Sequence, residues 1–412
     1  MATLAVIASH PIQYQAPWFR ALAGVVDLKV FYCHRQDSAG QASAGFGVDF
    51  DWDVPLLEGY SYEWLNNVSR NPGVSSFGGC DTPEVCDRLR RHSFDACIVS
   101  GWYLKSYLQA IWAARKARVP VMLRGDSQLR TARSRVFTAA KYLPYRVLLR
   151  SVSAHLYVGE RNREYLKHYG VEDTRLFRVP HFVDNARFGR RAGAARLEGR
   201  AGAIRREAAA HGASMVLAFV GKLIDKKRPA DLIRAAAIAR ASGVDVALLV
   251  VGSGPLEGTL RDLADAERVP THFAGFRNQL EIPDYFAAAD AIVLPSDEGE
   301  TWGLVVNEGM ACGLPAIVSD QVGCGPDLVT PGETGEVFAM GDVDALAKAI
   351  CRLGVTLTIH SAQVRAALET RLSAYNVETA VAGTLEAVEA VTVGAPPGMR
   401  SGYLAQTTNG SR

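Results

Sequence analysis

Largely apolar runs occupy 4–8, 96–100, 119–123, 215–220, 246–251, 292–294 and 316–318, too short for helices and without the alternation of half-exposed strands. Such runs predict strands buried on both faces of a parallel sheet. Residues 27–33, 155–158 and 271–276 read as further strands. Between them, apolar positions fall at helical spacing over 16–22, 82–91, 106–117, 162–169, 229–241, 282–288, 302–312, 344–353 and 377–391. In 106–117, for example, Tyr107, Ile111 and Ala114 share one face, and Pro229 suits the first turn of its helix. Strand and helix alternate, the pattern of α/β domains. Two stretches break it. Residues 35–79 are rich in Gly, Ser, Asp and Asn and predict an irregular insertion, and 186–212 are rich in Ala, Gly and Arg and predict a helical linker without a core-forming period. A chain of 412 residues is long for one core. The expected division is a first Rossmann-like domain over 1–190, a linker over 191–212, a second domain over 213–375, a last helix over 376–395 and a disordered tail over 396–412.

One unit concentrates polar chemistry. Residues 292–318 read as strand, polar elbow, helix and strand; the elbow holds Asp297, Glu298 and Glu300, and Gly313-Leu314-Pro315 stops the helix. A loop at the carboxyl end of a parallel strand faces the ligand crevice, and the N–H groups of Gly303, Leu304 and Val305 at the helix start form an anion site. Glu300 and Glu308 frame that site. Carboxylates repel a phosphate they touch, but they accept from hydroxyls in pairs. A phosphate between two hydroxyl-bearing groups describes a nucleotide-sugar. The alternative is that Glu300 is an acid favoured by the helix dipole and Glu308 a solvated face residue.

The segment GETWGLVVNEGMACGLPAIVSD, with strand, acids, glycines and proline in register, resembles the E-x7-E signature of glycosyltransferase family 4, the retaining enzymes of the GT-B fold. The resemblance is strong over 217–346 and weaker before it. It implies an α/β, GT-B architecture: two Rossmann-like domains facing across a cleft, with a C-terminal helix crossing back to the first. It also implies that Glu300 meets the donor sugar, Glu308 the nucleotide ribose, and the Gly303 to Val305 amides the phosphates, with Trp302 in the same donor site. FVGKLIDKKRP resembles the family's G-(R/K)-L-x-x-x-K loop, whose cations grip the diphosphate; Gly221, Lys222 and Lys227 match it, although lysine lacks the bidentate fork of arginine. The nucleobase would lie near Gly275 and Phe276. The implied activity is transfer of a sugar from a nucleoside diphosphate sugar to a hydroxyl acceptor with the configuration retained, in polysaccharide or glycolipid assembly. The nucleotide-sugar is a co-substrate; no cofactor and no metal are expected, since Lys222, Lys227 and the helix start can neutralise the leaving phosphate. A nucleotide-sugar 2-epimerase and a non-catalytic nucleotide-binding protein of the same fold are the alternatives.

In the first half, the loop after the first strand offers His10, Gln13 and Tyr14 as acceptor-side contacts. It lacks the glycines that family 4 members usually have there, so side chains replace a backbone contact to phosphate; a His capping the loop is the alternative. Asp126, in Arg124-Gly125-Asp126-Ser127 at a strand's carboxyl end, stands where the family commonly carries a His or Asp near the reacting sugar. Asp51-Trp52-Asp53 spells the metal-binding D-x-D of a different glycosyltransferase fold, but in an irregular loop it reads as a chance match. Gly252-Ser253-Gly254 lacks the third glycine of a dinucleotide fingerprint, with Glu257 in its place, which counts against a nicotinamide enzyme.

A hydrophobic content of 48% with 21% charged residues is that of a globular protein, and a net charge of +2 gives no reason to expect nucleic acid as a partner. Seven cysteines without C-x-x-C spacing fit a reducing compartment, and Cys80 and Cys86 have no companion ligands for zinc. The start of the chain lacks a basic segment and a cleavage site, and no apolar run reaches a spanning length, so a cytoplasmic or peripheral location is expected. From 124 to 150 there are six Arg, one Lys and a single acid among aromatic and aliphatic residues. That pattern fits a membrane-surface segment serving a lipid-linked acceptor, or a core helix with a solvated basic face beside a carbohydrate acceptor.

Overall fold

The apolar runs assemble into two parallel sheets. The structure is a computed structural model and describes residues 1–36, 49–131, 134–208 and 213–393. The first sheet comprises β1 (Thr3–Ala8), β2 (Asp27–Tyr32), β3 (Ser61–Trp64), β4 (Ala96–Val99), β5 (Val121–Gly125), β6 (Ala154–Tyr157) and β7 (Leu176–Arg178), in the order β3-β2-β1-β4-β5-β6-β7. The second comprises β8 (Met215–Val220), β9 (Val246–Val251), β10 (Thr271–Gly275), β11 (Ala291–Leu294), β12 (Ala316–Ser319) and β13 (Gly335–Phe338), in the order β10-β9-β8-β11-β12-β13. β1, β8 and β9 are buried along nearly their whole length because helices cover both faces. Strand order reverses between β1 and β4 and between β8 and β11. At such switch points neighbouring loops leave in opposite directions and open a crevice for ligands at the carboxyl ends of the strands.

Three stretches depart from the sequence reading. β3 lies inside the segment expected to be irregular; it pairs with β2 at the sheet edge, where its exposed and half-buried residues need no apolar run. The segment read as a linker forms helices Asn185–Leu197 and Arg200–Ala208, which bury Phe188, Ala192, Ala195, Ala201 and Ala208 in the core of the second domain. Alanines pack by close backbone approach, so this face has little of the contrast that marks an amphipathic helix. The first helix is capped by Asp184, whose carboxylate accepts from the Arg187 N–H at 2.9 Å. The helix expected over 344–353 runs through Val343–Leu372, with non-helical backbone at His360.

The last helix, Val377–Val393, crosses back and packs on helix Ala16–Ala23, β6 and β7, placing Ala380, Ala387 and Val388 in the first domain's core. Residues 209–212, 394–395 and the expected tail 396–412 lie outside the described residues. Among the described residues no helix is long and apolar enough to cross a membrane. All seven cysteines are free thiols.

Candidate functional site

The β8/β11 switch point joins the two loops that the sequence marks. The loop after β8 carries Gly221, Lys222 and a short turn Asp225–Lys227; the loop after β11 carries Glu300 and leads into helix Leu304–Ala311. They are tied together, with the Asp297 N–H donating to the Lys226 carbonyl at 2.9 Å and Lys226 Nζ to the Gly299 carbonyl at 3.2 Å. Lys227 Nζ lies 2.5 Å from Glu300 Oε2, and both side chains are largely buried. This contact is ionic in character: Glu300 Oε2 accepts no well-angled hydrogen bond. Lys222 is held below its ordinary pKa by burial and by the neighbouring Lys226 and Lys227.

Gly252 and Gly254 owe their presence to this loop rather than to a dinucleotide. The Leu223 N–H donates to the Ser253 carbonyl at 2.9 Å, and a side chain at Gly252 would run into the Gly221 carbonyl. Gly303 precedes the helix at φ +98°, a left-handed conformation, with Leu294 where its side chain would be. The half-buried Leu304 and Val305 begin the first turn, whose N–H groups have no acceptor within the helix.

Glu308 is buried one helical turn further along, and its Oε1 accepts from Gln279 Nε2 at 3.2 Å. Arg187 holds that amide from behind, donating to the Gln279 carbonyl at 3.1 Å and to its Oε1 at 2.9 Å. Burial raises the Glu308 carboxyl to about 7, against the opposing pull of Gln279, Arg187 and Lys227. Sequence reasoning missed Gln279 and Arg187: the latter lies in the supposed linker, and nothing local signals a residue so distant in sequence. Gly275 ends β10 with φ +72°, and Phe276 beyond it meets Phe50 of the first domain at 4.5 Å between ring centroids.

The opposite wall comes from the first domain. Asp126 Oδ2 accepts from Thr301 Oγ1 at 2.7 Å, which sets this carboxylate beside the Glu300 loop. Next to it, buried Gln128 donates from Nε2 to the Glu300 and Glu298 carbonyls at 3.2 and 3.4 Å. Buried Arg161 donates from Nη1 to the Gln321 carbonyl and from Nη2 to the Asp320 carbonyl, each at 2.5 Å. Tyr14 is pushed up to about 12 by burial and by Asp126, with Arg124 opposing, and its ring meets His181 edge-on at 5.9 Å. His10 Nδ1 lies 2.9 Å from Ser9 Oγ, and burial with nearby His34 lowers its pKa to about 4, so the ring is neutral at pH 7. Gln13 is half-buried in the same loop.

Three further placements add to the sequence reading. The Trp302 side chain is buried, its Nε1 donates to Asn307 Oδ1 at 2.8 Å, and its ring packs on His181 of the first domain and on Tyr375. Asp51-Trp52-Asp53 is part of a clasp: Asn278 Nδ2 donates to the Asp51 carbonyl at 2.7 Å, and the Leu280 N–H to Asp53 Oδ2 at 3.0 Å. Arg124, counted with the basic stretch, is buried at the end of β5, where it stacks over Trp18 and donates to the Pro180 carbonyl.

Residues 202–354 match the family described as Glycosyl transferases group 1. A GDP-mannose-dependent monoacylated alpha-(1-6)-phosphatidylinositol monomannoside mannosyltransferase of Corynebacterium glutamicum is 35% identical over 144 residues, 34% of this chain and 37% of that protein. A D-inositol 3-phosphate glycosyltransferase of Actinosynnema mirum is 30% identical over 204 residues, 45% of each chain. The match spans less than half the length of these curated relatives. Among solved structures, Anabaena HepE in complex with UDP superposes with a TM-score of 0.68 at 18% identity, covering 94% of this chain and 99% of that one. A glycosyltransferase from Rickettsia africae gives a TM-score of 0.71 at 12% identity over 96% of this chain and 100% of its own. The protein therefore has the GT-B fold, and its residues 202–354 are similar to the glycosyl transferases of group 1.

Proposed function

We propose that the protein transfers a sugar from a nucleoside diphosphate sugar to a hydroxyl acceptor, retaining the anomeric configuration, in glycolipid or polysaccharide assembly. The observation that carries this reading is the pairing of Lys227 with Glu300 at the β8/β11 switch point, beside a helix start, with Glu308 buried one turn beyond. In the free protein Glu300 neutralises Lys227. An arriving diphosphate competes for the lysine and for the helix N–H groups, and Glu300 is released to accept from hydroxyls of the donor sugar. Glu308 accepts from the ribose. As the bond between the sugar and the phosphate oxygen breaks, Lys227, Lys222 and the helix start stabilise charge on the leaving diphosphate, where it develops. The acceptor oxygen takes the sugar, and the acceptor proton ends on the released diphosphate. Relatives named for GDP-mannose and a solved neighbour bound to UDP support a nucleotide donor without fixing its base.

The test is mass spectrometry of UDP-, GDP- and ADP-sugars incubated with the protein in EDTA. Hydrolysis or transfer of at least one is expected without added metal. Nucleotide binding with no turnover would mark a non-catalytic binding protein, release of a free epimer would mark an epimerase, and turnover only after adding manganese or magnesium would overturn metal independence.

The Glu308 carboxyl makes donor binding pH-dependent. With a folded-state pKa of about 7 against an ordinary value of 4.5, its contribution to stability is full below about pH 4.5 and is lost as pH rises through 7. Ribose hydroxyls donate best to the ionised form, so nucleotide affinity should rise as pH increases through 7, and Glu308→Gln should flatten that dependence. Calorimetric titration with the nucleoside diphosphate at several pH values decides it; an identical slope in the variant removes Glu308 from the ribose.

The proposal extends to a lipid-linked acceptor at an anionic, cytoplasmic membrane face. Helix Arg135–Arg150 exposes Val136 (81%), Leu143 (66%) and Val147 (63%) along one side. Residues 130–150 include six Arg or Lys and no acid. Each cation near such a surface contributes roughly 1 kcal/mol. The protein should sediment with anionic vesicles at low salt and be released at high salt, and Leu143→Ser with Val147→Ser should weaken the binding. Negligible binding to anionic and zwitterionic vesicles alike would favour a soluble acceptor.

A further inference from the structure

Beside the cleft, the first domain holds a separate cavity of about 390 Å³, lined by Pro11, Gln36, Asp51, Trp52, Glu58 and Trp64 among others. Its position follows from the sheet: Pro11 lies in the loop after β1, Gln36 beyond β2, and Trp64 at the end of β3. It therefore opens at the carboxyl ends of the strands, the side that faces the second domain. One wall, near Asp51 and Trp52, is fixed by the clasp, since Asp51 and Asp53 receive Asn278 and the Leu280 N–H from the second domain. The indoles are held in place as well. Phe50 meets Trp52 edge-on at 5.0 Å, and Trp64 lies under the Arg35 guanidinium at 4.9 Å and beside Tyr32 at 5.3 Å.

This lining selects a chemistry. The half-buried Trp52 indole offers apolar surface, Trp64, one face of which lies under Arg35, adds to that wall, and Asp51, Glu58 and the Gln36 amide bring acceptors and a donor around it. A pyranose has matching parts, an apolar face of C–H bonds and a rim of hydroxyls. Two carboxylates in the lining disfavour a phosphate or another anion. The volume sits near the low end of the roughly 300–1,000 Å³ of small-molecule pockets, which suits a short saccharide. We propose that this cavity is a saccharide subsite that takes a neutral sugar of the acceptor, beside the unit whose hydroxyl receives the transferred residue. The proposal rests on the transferase reading for the word acceptor; binding of a neutral sugar here stands without it.

The test is saturation-transfer NMR and calorimetry on the full chain with methyl glycosides and disaccharides of glucose, galactose, mannose and N-acetylglucosamine. At least one should bind, inorganic phosphate should not compete, and saturating UDP, GDP or ADP should not displace it. Trp52→Ala and Glu58→Gln should each weaken that binding by about tenfold or more. Melting temperature and nucleotide binding report whether the variants fold, and Trp52→Phe should restore part of the affinity by returning an aromatic face. Failure of every sugar to bind, displacement by nucleotide, or equal affinity in the folded variants would overturn the subsite. Sugar binding in a protein that turns over no nucleotide-sugar would instead count against the transferase reading and leave the cavity assigned.

Discussion

Lys227→Ala is expected to abolish sugar transfer and to weaken nucleoside diphosphate binding by about 1.5–3 kcal/mol, the range for a hydrogen bond to a charged group. The lysine is 14% exposed and its partner Glu300 13%, so neither is screened as a surface pair would be. Removing the cation has two consequences, and they can be separated. The diphosphate loses its charge partner, and Glu300 is left as a buried carboxylate without compensation, which lowers stability. Adding Glu300→Gln to Lys227→Ala removes the uncompensated charge, so the double variant should recover melting temperature but not nucleotide affinity. Lys227→Arg keeps the charge with a different reach and should retain more binding than activity. Calorimetry with UDP, GDP and ADP decides between a donor contact and a structural ion pair: unchanged affinity in a folded Lys227→Ala variant would leave Lys227 only the second role.

What the chain discloses in sequence depends on the range of the interaction. β1, β8, β9 and β11 are legible because two-sided burial demands a run of apolar residues. The Glu300 loop, Gly303 and the helix carrying Glu308 are legible because strand, turn and helix chemistry fall within one short segment. β3 is hidden because an edge strand with exposed residues carries no apolar signal. The helical character of Asn185–Leu197 and Arg200–Ala208 is legible, but their place in the second domain's core is hidden because their contacts are made largely by alanine. Arg187 illustrates the limit: it acts on Gln279, 92 residues away in sequence, so no local pattern points to it. Arg124 and Arg130 illustrate the converse, since a run rich in basic residues suggests one solvated face, yet the first is buried at the end of β5 and the second donates to the Asp320 carbonyl across the cleft.

Arg161→Ala combined with Gln128→Ala is expected to lower turnover by about tenfold to a hundredfold, the equivalent of one charge-assisted contact at about 1.5–3 kcal/mol, since every 1.4 kcal/mol is a factor of ten. Neither residue is in the second domain. Gln128 follows β5 and Arg161 begins helix Glu160–His168, yet between them they hold the carbonyls of Glu298, Glu300, Asp320 and Gln321, the loops after β11 and β12. The backbone that carries Glu300 is thus positioned by the opposite domain, so the site is complete only while the domains are closed. Opening leaves Lys227 and the helix start together on the second domain, which predicts a split between two readouts: nucleotide affinity should change little while kcat falls. Arg161→Lys, which keeps the charge but lacks the two-pronged reach to successive carbonyls, should lie between wild type and Arg161→Ala. A loss of the same size in nucleotide affinity and kcat would mean that the two residues support the fold of the donor loop itself, and unchanged turnover would mean that the closed arrangement needs neither.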